Sequence, residues 1–277
     1  MDANDTPIDP ARVRVSVDAH GVAEVALVRS DKMNALDAAM FRSLMGAIDR
    51  LQADPAVRVV VLHGEGRAFC AGLDKGRFGE MAGGGTSSTQ GTLGDLVPRT
   101  RGIANGAQGV AWGWRELPVP VIAAVHGVAF GGGLQLALGA DLRIVTADVQ
   151  LSVLEIQWGL VPDMAGIALL TELCRADVVR DLTFSGRIVG GEEAVRIGLA
   201  TRLADDPLAA ARALARQIAG RSPDAIRAGK RLLNAATPVD ARSVLLAESH
   251  EQQRLIGSPN QVEAVRAGLD KRAPLFR

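Results

Sequence analysis

Tyrosine is absent from this chain, aromatic residues make up 3% of it, and its 277 residues include two cysteines. So few rings argue against the stacking surfaces on which single-stranded nucleic acids are held. Cys70 and Cys174 form no C-x-x-C pair and have no histidine at ligand spacing, so neither a zinc module nor a disulfide framework is expected. Excess charge is missing too: Lys+Arg and Asp+Glu both number 31. A zero net charge argues against a nucleic-acid or membrane-surface partner and suits a chain that associates with its own copies. No apolar run approaches the roughly 20 residues of a membrane span. The opening MDANDTPIDPARVRV is polar, without the apolar stretch of a secretory signal. The expectation is a cytoplasmic protein with no metal, nucleic-acid or membrane partner. No G-x-S-x-G and no Ser–His–Asp pattern occurs, so a serine hydrolase is not expected either.

Hydrophobic residues make up 48%, enough for a sizeable core. Residues 1–10 read as a flexible tail, 11–205 as a core domain and 206–277 as a helical C-terminal region. Alternation predicts strands over Arg12–Asp18 and Val22–Val28 around a His20-Gly21 turn. A helix capped by Asp37 follows to about Ala53, with Met40, Leu44, Ile48 and Leu51 on one face. Further strands are expected at Val57–Leu62, Pro118–Val125, Asp141–Thr146, Val149–Val153 and Leu199–Leu203. Asp95–Glu116 reads mainly as helix. Later helices are expected over about 165–174, 176–183, 191–197, 207–219, 223–236, 239–256 and 260–271. No repeat of fixed period is visible. Alternating strands and helices followed by helices alone predict an α/β core with a helical end.

The stretch His126–Asp141, HGVAFGGGLQLALGAD, follows a buried-strand pattern and places Gly131-Gly132-Gly133 before an apolar helical segment. Glycines at a helix start leave backbone N–H groups free and allow close approach, which suits negative charge. A plain strand-to-helix packing turn reads equally well. A second glycine loop, Ala71-Gly72-Leu73-Asp74, also follows a buried strand. Two such donors converging on one carbonyl oxygen would form an oxyanion hole. Gly64-x-Gly66 imitates a dinucleotide fingerprint, but its third position is Phe69 and no helix opens there. Glu155 sits among Leu151, Val153, Leu154, Ile156 and Trp158, and Asp163 between Pro162 and Met164. Apolar surroundings raise carboxyl pKa values and suit acid–base work. The plainer alternatives are a helix N-cap for Asp163 and a surface residue or ion pair for Glu155. His126 reads as a packed or hydrogen-bonded histidine, and Cys70 has no basic partner to make it a nucleophile. The Gly/Ser/Thr-rich 82–94 loop reads as a lid or an idle loop, and Trp112 and Trp114 as pocket or scaffold.

Phe69-Cys70-Ala71-Gly72-Leu73-Asp74, then His126-Gly127-Val128-Ala129-x-Gly131-Gly132-Gly133-x-x-Leu136, then Asp141 and Gly159-Leu160-Val161-Pro162 together resemble the crotonase family, the enoyl-CoA hydratases and isomerases. Arg29–Leu36 is similar to the family's early CoA-contacting loop, and Arg221-Ser222-Pro223 with Lys230 to its C-terminal helices. The resemblance implies a spiral of ββα units with a helical C-terminal trimerisation region, assembled as a homotrimer or a hexamer of paired trimers. It implies an acyl-CoA thioester substrate, whose coenzyme A is part of the substrate, with no other cofactor. The thioester carbonyl would be polarised by the N–H groups of Leu73 and Gly132. Lys32, Met33, Ala71, Asp74 and Lys75 match CoA-lining positions. Lys271 and Phe276 match positions that reach a neighbouring subunit's CoA.

Hydratases of the family carry a glutamate two residues after the glycine triplet and a second in the later loop. The first position here is Gln135, which cannot ionise; the second matches Glu155. Asp163 matches the aspartate of the dienoyl-CoA isomerases, whose acidic pair the Glu155/Asp163 pair resembles. The favoured reading is an acyl-CoA double-bond isomerase using Glu155 and Asp163. The alternatives are an enoyl-CoA hydratase that orients water with Gln135, and a non-catalytic crotonase-fold binding protein.

Overall fold

The structure, a computed structural model, describes residues 6–74, 76, 96–236 and 240–276. Its strands are β1 (Val13–Val17), β2 (Val22–Leu27), β3 (Val59–Gly64), β4 (Val121–Val125), β5 (Val128–Phe130), β6 (Leu142–Val145), β7 (Gln150–Ser152) and β8 (Arg202–Leu203). Its α-helices are α1 (Ala38–Ala53), α2 (Gly106–Glu116), α3 (Gly132–Leu138), α4 (Gly166–Leu173), α5 (Ala176–Ser185), α6 (Gly191–Arg196), α7 (Pro207–Ala219), α8 (Pro223–Ala235), α9 (Ala241–Leu255) and α10 (Pro259–Asp270). The main sheet has the order β1-β2-β3-β4-β6-β8, antiparallel at the first pair and parallel thereafter.

Helices cover both faces of this sheet, so its central strands read as continuous apolar runs. In β3, Val60 and Leu62 enter the main core under α1, α2 and α3, while Val59 and Val61 enter a second core under α7. Ala211, Ala215 and Ala219 of α7 form one stripe against that face, and their small size lets the helix lie close to the strands. Asp37 caps α1 as expected, accepting from Met40 N–H at 2.8 Å. Its carboxylate also pairs with Arg12 and Arg29, which hold it below the usual carboxylate range against the opposing effect of burial.

A second row of short strands stands beside the main sheet. After β2 the chain bridges at Leu36, after β3 at Cys70 and Leu73, after β4 through β5, and after β6 through β7. Parallel pairings join Leu36 to Leu73, Cys70 to Ala129, and β5 to β7. Each turn of the chain thus supplies one long and one short strand, the expected spiral of ββα units. The repeat is one of path, not of residues, so no period shows in the sequence.

Three expectations are corrected. Helix α2 starts at Gly106, because Asn105 caps it: Gln108 N–H donates to the Asn105 side chain at 2.8 Å and Asn105 N–H to the Gln108 side chain at 3.1 Å. Residues 96–105 form turns and bends before it. The strand expected at Leu199–Leu203 shrinks to Arg202–Leu203. Residues 6–10, expected in a flexible tail, are anchored. Ile8 packs on the core, and Asp9 N–H donates to Ser43 Oγ at 3.0 Å.

The C-terminal helices are fastened to the core by a buried cation. Lys230 of α8 donates to Trp114 O at 3.2 Å, Val119 O at 2.9 Å and Asp141 Oδ2 at 2.7 Å, at the root of β4. Trp114 and Trp112 are themselves buried scaffold, and neither lines the cavity described next.

Candidate active site

A cavity of about 590 Å³ opens between the second row of strands and the segment 154–164, with Gln252 of α9 and Ile256 just after it closing one side. Leu73, Gly132, Gln135, Glu155 and Asp163 all line it, as do Lys32, Met33, Ala71 and Asp74. Lys75 and the 82–94 loop lie outside the described residues. Phe276 is exposed and does not line the cavity of its own chain.

Backbone pairing dictates where the two glycine loops meet. Leu36 N–H donates to Gly72 O at 2.8 Å and Asp74 N–H donates to Leu36 O at 3.1 Å. A parallel bridge of this kind spends the groups on either side of Leu73 and leaves its own N–H facing the opposite edge. On that edge runs β5: Cys70 N–H donates to Val128 O and Phe130 N–H to Cys70 O, both at 3.1 Å. Leu73 and Gly132 each stand three residues beyond the bridged pair Cys70 and Ala129. Neither of their N–H groups donates within the described residues. Gly132 is the first residue of α3, where an unpaired N–H is the rule and the helix dipole favours negative charge.

The glycines have separate reasons. Gly131 has φ 51° and ψ −121°, a conformation closed to residues with a Cβ. At Gly133 a Cβ would lie 2.2 Å from the Cys70 carbonyl oxygen. At Gly72, φ is +87° and a Cβ would lie 2.5 Å from Phe130 O. The two loops therefore touch through bare backbone.

The loop before α1 braces the first donor. Arg29 pairs with Asp74 at 2.6 Å and donates to Ala35 O. Asn34, buried and left-handed at φ 55°, donates its side-chain amide to Glu65 O, Ala68 O and Phe69 O. Cys70 beneath it is fully buried, and burial pushes its thiol up to about 12, so it is no nucleophile at neutral pH. His126 binds Gly66 O at 2.8 Å, a structural contact. No helix opens after Gly64-x-Gly66, so this is not a dinucleotide loop.

Glu155 begins a short 3-10 turn, Glu155–Trp158, after β7. It is neither exposed nor ion-paired. Its Oε1 accepts from Gln135 Nε2 at 2.7 Å, while its Oε2 is buried with no hydrogen-bond partner. Burial pushes its carboxyl up to about 7, and the neighbouring Asp163 charge acts in the same direction. Burial likewise raises Asp163 to about 7, against a hydrogen bond from Gln252. Asp163 is not a helix N-cap: α4 starts two residues beyond Met164, and Ala165 holds the N-cap position. Gln135 links the two acidic segments, since its Oε1 accepts from Met164 N–H at 2.8 Å. Among the described residues no group of His, Cys, Asp and Glu is arranged to hold a metal ion. The site therefore combines two free backbone donors with two buried, electrostatically coupled carboxyls. Such a set can stabilise an oxyanion and exchange protons beside it.

A family profile described as enoyl-CoA hydratase/isomerase matches residues 18–277. The chain belongs to the enoyl-CoA hydratase/isomerase, or crotonase, family. It is 30% identical over 256 residues to a probable enoyl-CoA hydratase of Bacillus subtilis, covering 91% of this chain and 94% of that one. It is 28% identical to the mitochondrial methylglutaconyl-CoA hydratase of Mus musculus, covering 97% and 84% of the two chains. A crystal structure of an enoyl-CoA hydratase/isomerase from Mycobacterium paratuberculosis matches with a TM-score of 0.82 at 25% identity, over 93% of this chain and 98% of that one. The crotonase fold expected from the motifs is thus the fold found, and no helix among the described residues is long and apolar enough to cross a membrane.

Sequence reasoning passed over two side chains that complete the site's surroundings, Glu248 and Gln252 on α9. Both are buried. Their signal was an i, i+4 pair of polar residues on a helix whose buried positions also include Leu245.

Proposed function

We propose that this crotonase-family enzyme moves a double bond within an acyl-CoA, using Glu155 and Asp163 as its proton-transferring pair. The observation that carries the reading is the presence of two buried carboxyls, both raised to about 7, in the cavity that holds the free N–H groups. The thioester carbonyl oxygen accepts from Leu73 and Gly132. One carboxylate removes a proton from carbon, and the electron pair moves into the carbonyl as a conjugated enolate. The other group, in its acid form, returns a proton to a different carbon. The formula is unchanged, and the pair ends with its proton exchanged between the two sites. Lys32, Met33, Ala71 and Asp74 hold the CoA portion at the mouth, and a homotrimer or hexamer is the assembly. Exposed Leu232 and Leu233 on α8 support association with further copies.

A second reading, hydration, is favoured by one observation. The Gln135 amide is fixed at both ends and keeps one N–H with which to orient a water beside Glu155. Absorbance separates the two. Addition of water abolishes the enoyl-thioester band, whereas migration of the double bonds of a dienoyl thioester shifts it. Loss of the band with formation of a 3-hydroxyacyl product would overturn the isomerase reading.

The paired carboxyls also set a pH dependence. Two coupled groups near 7 share about one proton at neutral pH, and they titrate as a pair. Below that range the base is protonated, and above it the acid is lost. A bell-shaped kcat/KM profile centred near pH 7 is expected, falling roughly tenfold per pH unit on each limb. A profile flat from pH 5 to 9 would remove the paired-acid mechanism.

A further inference from the structure

Asp163 lies in a turn, residues 161–165, none of whose N–H groups donates to a backbone carbonyl within the described residues. Ala165 is left-handed at φ 68°, a strained choice for a residue with a Cβ. The turn is held from outside. From α3, Gln135 accepts Met164 N–H at 2.8 Å. From α9, Glu248 accepts Ala165 N–H at 3.0 Å and Ile167 N–H at 2.9 Å, so its carboxyl, pushed up to about 8 chiefly by burial, closes the N-terminal end of α4. Gln108 Nε2 holds Glu248 in turn, donating at 3.1 Å. One helical turn later on the same face, Gln252 accepts Val161 N–H at 3.1 Å through its Oε1, and it shares the cavity with Asp163, where its amide favours the ionised carboxyl. Gln252 is 4% exposed, and the little it exposes faces the cavity that Asp163 also lines.

We propose that Gln252 is the positioning residue for Asp163, and that with Glu248 it makes α9 the part of the chain that fixes where Asp163 delivers or removes its proton. This rests on Asp163 being a proton-transferring group. The C-terminal helical region then acts in the chemistry as well as in assembly. α9 reaches across 89 residues of sequence from Asp163 to Gln252 to place a single carboxyl. The groups that face Asp163 are few: Glu155 in the same cavity, Glu248 from α9, and the Gln252 amide itself. Removing the amide leaves the aspartate with two acidic neighbours and without its donor.

The test uses Gln252→Leu and, as a second variant that keeps the side chain's shape, Gln252→Glu. Both are measured on the full chain, with folding checked by circular dichroism and acyl-CoA turnover followed across pH. For Gln252→Leu the expected result is kcat lower by about 10- to 100-fold with KM changed less than about threefold, because positioning is felt in the transition state. The centre of the pH–rate bell should move upward by roughly half a pH unit, as the ionised aspartate loses a hydrogen bond. Gln252→Glu should move it in the same direction, since an added carboxylate opposes ionisation beside it. Leu245→Ala, a core truncation on the same helix, should lower the melting temperature and leave the centre of the bell in place. In an Asp163→Asn background, Gln252→Leu should cost far less than it does alone. Folded Gln252 variants with wild-type kcat and an unmoved bell, beside an inactive Asp163→Asn, would overturn the positioning role and leave the proton-transfer reading standing. Wild-type turnover by Asp163→Asn would overturn both.

Discussion

Glu155→Gln is expected to lower kcat by about 10²–10⁴-fold with little change in KM, while making the protein more stable at alkaline pH. The loss follows from the place of the side chain. Its Oε1 is held by Gln135, and its Oε2, buried without a partner, is left free for a substrate proton. A glutamine preserves the shape and the contact with Gln135 but cannot take or give that proton. The gain follows from linkage. A carboxyl raised from 4.5 to about 7 in the folded protein binds a proton that the unfolded chain has already released between those values. Stability from this group is therefore fully present below pH 4.5 and declines as pH rises through about 7. The loss is on the order of 3 kcal/mol, at about 1.4 kcal/mol for each pH unit between the two values. Glutamine has no such slope. The melting temperature of the variant relative to wild type should be higher at pH 8 than at pH 4.5. A variant with wild-type kcat, or with the same relative melting temperature at both pH values, would contradict the role given to this carboxyl.

Gly133→Ala carries the second large effect. Its Cβ would stand 2.2 Å from the carbonyl oxygen and 2.8 Å from the carbonyl carbon of Cys70, both main-chain atoms in a fully buried segment. No rotamer change relieves a contact with backbone, so the two loops must separate. We expect kcat/KM to fall by about 10²-fold or more, as when an oxyanion donor is lost. Destabilisation by about 1–3 kcal/mol should accompany it, the usual cost of overpacking. The melting temperature should drop by roughly 2–4 °C per kcal/mol for a chain of this size. Wild-type rate and melting temperature together would show that the loops do not depend on bare backbone contact. Gly229, where a Cβ meets nothing within 4 Å, is the natural control for substitution at a glycine.

Much of this site was legible in the sequence because its parts are local. Glycines at a helix start, Asp37 before an apolar period, and carboxyls among apolar neighbours each announce themselves within a few residues. What stayed hidden was long-range. Asp163 could equally have been an N-cap, and its release from that duty comes from Glu248, 85 residues later in the sequence. The early boundary set for α2 failed for a different reason. Asp95 is an acceptable cap, but the capping pair Asn105 and Gln108 wins because both of its hydrogen bonds form. The ββα repeat was invisible because the second row is made of bridges one to three residues long, too short to impose a pattern on side chains.

That second row has a consequence for the substrate. Adjacent strands in a sheet lie about 4.8 Å apart, and an N–H···O bond spans about 2.9 Å. Two N–H groups on neighbouring rows that aim at one point therefore meet an oxygen at an angle of about 110°, close to the directions of its two lone pairs. Leu73 and Gly132 stand at matching offsets from the bridged pair Cys70 and Ala129, where two rows of this kind run out, Gly132 opening α3 just past the end of β5. On the proposed reading, a thioester carbonyl seated there would take the place of a missing rung in a peptide ladder. The width of the receptor is then a lattice spacing of the fold, inherited rather than tuned. Changes of side chain at Leu73 should reshape the walls around the acyl group and leave the grip on its oxygen as it is.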